Sequence, residues 1–563
     1  MTRRASILSS LLLASLTTGV ALSWPNQDED APEDKPGFAL AVVCSSCHSA
    51  SEASVAMRDR QGRSVAPYDL WQSTMMANST RDPFWRAMVA AEVQTNPSRR
   101  AEIEAKCLRC HAPMTSEIAE NHGVVAKMSH LADLETDLGL AAQEGVSCTI
   151  CHQIQPDGLG TEASYDGGFH IDASRKIFGP HEEPFTMPMS RMSSFTPTHG
   201  EHILESSLCG SCHTLLTSPL DGDGNVEPID FIEQAAYLEW RNSAFSTEGE
   251  KPGERAQSCQ GCHLPTRDID GVPIRTRLAH NPMGTDFGAI EERKPFGRHL
   301  LVGGNTLVPE LFKRFAEELN VAAPVDAFEA TLEATRQQLA HRTASLTIGE
   351  SEQDGDDLVI PITVTNLTGH KLPTGYPSRR LFLQVRVLDE AGEAVFETGT
   401  FDAQGRLTTA GDVHPAERAG GPIHPHADAL RSSDQVAVWE SVMADTEGRP
   451  TYRLLRAASY AKDDRLLPIG WSSEHAEAER TSPHGVSGDD DFEPGRDTVR
   501  IVVPSSAEPK RIEATLYYQV LSPRFAAELF AIDAPEVRTF ERMLNVLEAW
   551  PTEKVAEASR ALR

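Results

Sequence analysis

The sequence predicts a two-part chain: a mainly α and irregular N-terminal domain, followed by an all-β sandwich. Three observations carry that expectation. All ten cysteines fall in five Cys-x-x-Cys-His motifs, and all five lie between Cys44 and His263. Beyond about residue 343 the apolar period changes from helical to two, the signature of half-buried strands. That second stretch holds no cysteine at all.

The motifs are Cys44-Ser-Ser-Cys47-His48, Cys107-Leu-Arg-Cys110-His111, Cys148-Thr-Ile-Cys151-His152, Cys209-Gly-Ser-Cys212-His213 and Cys259-Gln-Gly-Cys262-His263. This is the attachment signature of c-type haem: two thiols bond covalently to one porphyrin, and the adjacent histidine ligates its iron. Five covalently attached haems are therefore expected, with His48, His111, His152, His213 and His263 as proximal ligands. Zinc ribbons and disulfide frameworks also use paired cysteines. Neither requires a histidine after every second cysteine, and five chance hits come to something on the order of 10⁻⁷. Zinc ribbons would also leave one of the five pairs without a partner.

Residues 1–23 read as an export signal, with Arg3 and Arg4 before a short apolar stretch. The alternative is an uncleaved N-terminal anchor. An acidic, Pro-containing linker covers 24–36. The motifs define a pentahaem domain over 37–305, where first cysteines stand 63, 41, 61 and 50 residues apart. So little protein per motif implies short helices and loops around closely spaced porphyrins. Leu311, Phe312, Phe315, Leu319, Leu332 and Leu339 give 306–342 the period of a helical connector. Strands are expected near 358–365, 381–387, 436–442, 498–503 and 512–520, which assigns the sandwich to 343–525. Residues 526–563 read as a closing helical segment.

The formal charge of −30 argues against nucleic acid as a partner and favours solubility and docking to redox partner proteins. No stretch of the mature chain has the length of a membrane span. The expected location is periplasmic or extracellular.

An internal echo is present: Tyr68-Asp-Leu-Trp71-Gln-Ser-Thr74 and Tyr237-Leu-Glu-Trp240-Arg-Asn-Ser243 share Tyr-x-x-Trp-x-x-Ser/Thr. Each precedes a haem motif, and either porphyrin edges or an ordinary core would accept such aromatics. Together with the segments around Cys148, Cys209 and Arg298-His299, these make the N-terminal half resemble bacterial multihaem c-type cytochromes related to the tetrahaem cytochrome of ammonia oxidisers. The C-terminal half resembles the sandwich of such proteins through Asn366-Leu-Thr-Gly-His370-Lys-Leu-Pro-Thr-Gly-Tyr376. The resemblance covers most of 40–525 and implies electron transfer. It also implies a distal histidine five residues after the first Trp. Met76 stands there instead, and Phe245 in the second repeat. Methionine can still ligate iron and would raise its potential.

Met76, His122, His202, His299 and His370 are the distal candidates, with His130 an alternative to His122, and with His170, His199 and His280 behind them. His370 is notable because it belongs to the sandwich. Asp221-Gly-Asp223-Gly-Asn225 has the opening of a calcium loop but Ile232 at its twelfth position, so a polar turn is expected. The run Asp489-Asp490-Asp491 is expected to be a solvated loop. Function is expected to be electron carriage. The alternatives are an enzyme acting on a small nitrogen or sulfur compound at one five-coordinate haem, and a protomer of a larger haem assembly that docks or self-associates through the sandwich. No Cys-x-x-Cys-Lys site is present for a lysine-ligated catalytic haem.

Overall fold

The first half of the chain folds as short helices joined by long loops. The computed structural model describes residues 35–249 and 251–562. The expected signal at 1–23, and the linker up to residue 34, lie outside the described residues. Each motif starts on a helical turn, within Ala41–His48, Arg100–His111, Cys148–Cys151, Ser206–Gly210 or Cys259–His263. On such a turn residues three apart share a face, so both thiols of a motif project to one side with the histidine beside them.

The longest early helix, Pro83–Thr95, shows how the halves are joined. Asp82 caps it, accepting hydrogen bonds from Phe84 N (2.8 Å) and Trp85 N (3.2 Å), and Pro83 starts it without wasting a donor. Its buried residues then divide. Trp85, Val89 and Val93 pack with Leu108 of the second motif, whereas Ala87, Met88 and Ala91 enter the core of the sandwich. There they meet the late helix Pro535–Asn545.

The second half holds two large sheets and a small two-stranded one, Thr408–Thr409 with Asp412–Val413. In the first, Arg380–Leu388 pairs antiparallel with Arg511–Gln519, and also with Val438–Ala444 and Ala394–Thr398. In the second, Asp357–Asn366 lies between Arg496–Pro504 and Ala344–Ile348. Alternate residues of Asp357–Asn366 are buried along its whole length. Ile360, Ile362 and Val364 from one sheet share a single core with Leu381, Leu383 and Val385 from the other. Each such side chain contributes about 1.5–3 kcal/mol by leaving water. Val438–Ala444 departs from alternation because its outward side is covered too: Phe231 of the first half packs on Met443.

Two differences from the sequence reading stand out. The helix Val325–Arg342 does not span a gap; it packs along Ala344–Ile348 and Glu553–Ala561, and residues 36–563 form one compact unit. The C-terminal segment is not helical to its end. After Pro523–Phe530 and Pro535–Asn545 the chain returns as the strand Glu553–Ala561, pairing antiparallel with Arg511–Gln519. Only Val555 marks its core face with a large apolar side chain, so the period-two signal was weak.

Candidate cofactor-binding array

Four of the five motif histidines share one hydrogen-bond habit. Nδ1 of His48 donates to Leu278 O (3.0 Å), His152 to Phe178 O (2.7 Å), His263 to Val302 O (2.8 Å) and His111 to Ser79 O (3.5 Å). A carbonyl only accepts, so the proton sits on Nδ1 and the Nε2 lone pair is left for a metal. Trp85 stacks on the His111 ring at 4.6 Å and 11°, fixing its plane. Burial pushes His111 and His213 down to about 4, keeping both imidazoles neutral.

The donor arrangement separates the three meanings a Cys-x-x-Cys pair can carry. All ten thiols are free of disulfides. Among the described residues, neither group of three or more close metal-binding side chains contains a cysteine, so no tetrahedral zinc site is assembled. Two thiols on one helical face beside a neutral imidazole with a free Nε2 fit covalently held haem.

The motifs touch one another out of sequence order. The Cys44 thiol lies against Cys148, Cys110 against Cys212, and Cys209 against Cys259. Cys151 in turn neighbours Cys209 and Cys212. The histidines agree: His152 bears on His48, His213 on His111, and His263 on His213, each opposing its neighbour's protonation. The spatial run is therefore first, third, fourth, fifth, with the second motif branching from the fourth.

The echo in the sequence has a structural counterpart. Trp71 Nε1 donates to Val146 O (3.0 Å), two residues before Cys148. Trp240 Nε1 donates to Gln257 O (2.9 Å), two residues before Cys259. Tyr68 lies near Cys44, and Tyr237 covers Gly210 of the fourth motif so closely that a Cβ there would meet its ring at 2.6 Å. The first-and-third and fourth-and-fifth motifs are thus equivalent pairs, each joined through its two leading cysteines.

The distal candidates divide clearly. His299 faces His152 with ring centres 6.3 Å apart and planes 27° apart. Two imidazoles on opposite sides of one metal, with bonds of about 2.0–2.1 Å, place their ring centres roughly 6 Å apart. Nδ1 of His299 donates to Gly297 O (3.1 Å), leaving its Nε2 free as well. Burial, then the neighbouring His152, pushes His299 down to about 4. His370 repeats the habit, donating from Nδ1 to Lys371 O (2.9 Å), and lies near His263 and His213. Gly369 packs against Phe245 and Trp240, so the sandwich loop reaches the second repeat where Phe245 offers no ligand.

His202 does not join this set. Its Nε2 donates to Ile154 O (2.9 Å), its Nδ1 faces Gly200, and Phe178 packs edge-on against the ring. Its geometry is that of a satisfied core histidine. His122 ends the helix Pro113–Asn121 and is exposed, and His130 Nδ1 accepts from Lys127 N (3.2 Å) in a helix-capping turn. Met76 is half-buried beside the third motif, its carbonyl accepting from Val146 N (2.9 Å). The candidate that gains most is His280. Its backbone N donates to Cys47 O (3.1 Å), its Nδ1 donates to Asn281 O (2.7 Å), and its Nε2 is buried without a partner. Its sequence surroundings give no periodic or motif signal, and only the fold carries it to the first motif.

A buried ionic network fixes the loop that carries His370. Glu239, 0% exposed, accepts from Arg465 Nη1 (3.0 Å), from Lys371 N (3.1 Å) and from the Thr374 hydroxyl. Asp463 takes Lys371 Nζ (2.6 Å) and two bonds from Arg465 (2.7 Å each). Burial pushes the Asp463 carboxyl up, but Arg465 and Lys371 outweigh it and hold it at about 2. Asp221-Gly-Asp223-Gly-Asn225 forms the polar turn expected of it, closed by Asp221, which accepts from Asp223 N and Asn225 N.

No family model matches the chain, and no curated protein matches it. Among solved structures it is similar to the crystal structure of a penta-heme cytochrome c552 from Thermochromatium tepidum, at 16% identity and a TM-score of 0.48. That similarity covers 93% of this chain and 99% of the other.

Proposed function

We propose that the chain is a pentahaem c-type cytochrome that carries electrons between redox partner proteins outside the cytoplasm. One observation supports the reading above the others: five Cys-x-x-Cys-His motifs sit on helical turns, and four motif histidines commit Nδ1 to a backbone carbonyl. Each haem, when bound, supplies an iron that gains and loses one electron. The chain's own residues do the rest. The ten cysteines anchor, the five histidines ligate, and the carbonyls of Leu278, Ser79, Phe178 and Val302 fix each imidazole's tautomer and orientation.

In this reading His152 and His299 would hold one iron, and His370, which neighbours His263 and His213, would serve the His263 iron. His280 stands as a candidate for the neighbourhood of the first motif. The order of the motifs supports an electron path through first, third, fourth and fifth centres, with the second beside the fourth. Residues 1–23 act as the export signal, with the linker to 36 and the haem domain to 305. Among the described residues no helix is long and apolar enough to cross a membrane.

Two ligands on every iron make a carrier; one open iron would make an enzyme. The committed Nε2 of His202 and the Phe245 side chain keep the second reading alive, because each removes an expected distal ligand. Visible spectra of the reduced protein before and after carbon monoxide separate them. An unchanged spectrum supports the carrier, and a shift amounting to one haem supports catalysis at an open site.

A further inference from the structure

In the acidic run 489–491 Asp490 faces solvent as expected, but Asp489 does not. Asp489 turns inward to the far edge of the sandwich, where three separate segments meet. His426 precedes the short strand Ala429–Leu430, which runs parallel beside Arg496–Pro504. Asp497 lies in that second strand, and Asp489 in the loop before it. One donor atom from each of His426, Asp489 and Asp497 lies within 4.8 Å of the others.

Two features distinguish this group from an ordinary acidic cluster. Asp497 is 1% exposed; Trp439 Nε1 donates to its Oδ2 (2.7 Å), and its Oδ1 is buried with no partner. A buried carboxylate oxygen left unpaired costs about 1–3 kcal/mol or more, so a missing ligand is the economical explanation. The second feature stands behind the imidazole. His426 Nδ1 contacts Asp464 Oδ2 (3.1 Å), and Asp464 is itself held by Lys462 Nζ (3.1 Å) and Glu440 N (2.9 Å). That leaves His426 Nε2 directed at Asp489 Oδ2, 2.9 Å away. A carboxylate that holds a histidine's Nδ1 while its Nε2 faces other carboxylates is the arrangement that orients metal-ligating histidines.

We propose that His426, Asp489 and Asp497 bind a divalent transition-metal ion, with Asp464 orienting His426. One imidazole and two carboxylates suit zinc or a similar ion better than calcium, which takes oxygen ligands. Lys462 pairs with Asp464, and Arg500 with Asp428 and Asp491, so the charge facing Asp489 and Asp497 is that of His426, whose Nε2 proton a bound ion would displace. A cleft of about 200 Å³ lined by His414, His424 and Asp428 borders the site at His426. The site lies in the half of the chain without cysteines and is separate from the haem motifs.

The test uses the full-length holoprotein, stripped with chelator and titrated with zinc chloride, with bound zinc counted by plasma mass spectrometry after gel filtration. The expected result is one tight equivalent, absent in Asp497→Asn and His426→Gln, and bound 10–100-fold more weakly in Asp464→Asn. The last variant guards against misfolding of the other two, and an unchanged visible spectrum confirms that all are folded. Loss of the proposed haem function would not alter this count, because zinc is measured separately from iron. No tight equivalent in the wild type, equal binding in all variants, or calcium bound in preference to zinc would each overturn the proposal.

Discussion

Glu239→Ala should loosen the sandwich from the helical half more than any other single truncation at that contact. The carboxylate is fully buried and bonded to Arg465, Lys371 N and Thr374. Before the change, Glu239 and Asp463 balance Lys371 and Arg465; afterwards one positive charge is left uncompensated in a dry site. At 3.0 Å, with an effective dielectric of about 20, the lost Glu239–Arg465 attraction is roughly 5–6 kcal/mol before desolvation is returned. Removing one partner of a buried pair costs about 3–5 kcal/mol net, and that is the predicted loss. Glu239→Gln keeps an acceptor for Lys371 N and Thr374, so it should lose less, about 1–3 kcal/mol. Urea unfolding, followed by the visible spectrum and far-ultraviolet circular dichroism, measures both. Lys371 follows His370, so the alanine variant should also disturb one haem's spectrum. A loss under about 1 kcal/mol for Glu239→Ala, or equal losses for both variants, would refute the reasoning.

His299→Ala and His370→Ala should each open one iron, giving carbon-monoxide difference spectra of one haem apiece and two in the double variant. Acid should weaken the fold in a defined window. Asp463 and Glu417, ordinarily 3.8 and 4.5, are both held at about 2, Glu417 by Arg380 and His424 against its burial. Their contributions, roughly 2–3.5 kcal/mol each, are present above the ordinary values and lost as pH falls towards 2, which acid titration of unfolding would record. Gly210→Ala should destabilise by about 1–3 kcal/mol, because its Cβ would meet the Tyr237 ring at 2.6–2.9 Å; thermal unfolding reports it.

What the sequence revealed tracks how local each signal is. The Cys-x-x-Cys-His motifs and the strand around 357–366 are legible because their chemistry or period lies within ten residues. The Tyr-x-x-Trp-x-x-Ser/Thr echo was visible, but its meaning was not. That meaning depends on Trp71 and Trp240 reaching carbonyls 75 and 17 residues away. The sequence ranked His202 above His280, and the fold reverses that order: Ile154 O claims the Nε2 of His202, while that of His280 is buried without a partner. The strand at 553–561 escaped because its neighbour, Arg511–Gln519, supplies most of the apolar pattern. Asp489 read as solvent-facing because nothing nearby in sequence announces Trp439, Asp464 or His426.

The central claim is that all ten cysteines serve five haems. Intact-mass spectrometry of the exported protein, combined with a pyridine haemochromogen assay, tests it most directly. The account predicts a mass increase of five haems, five haems per chain and no titratable thiol. Free thiols, zinc in place of iron, or disulfides linking Cys44–Cys148, Cys110–Cys212 and Cys209–Cys259 would contradict it.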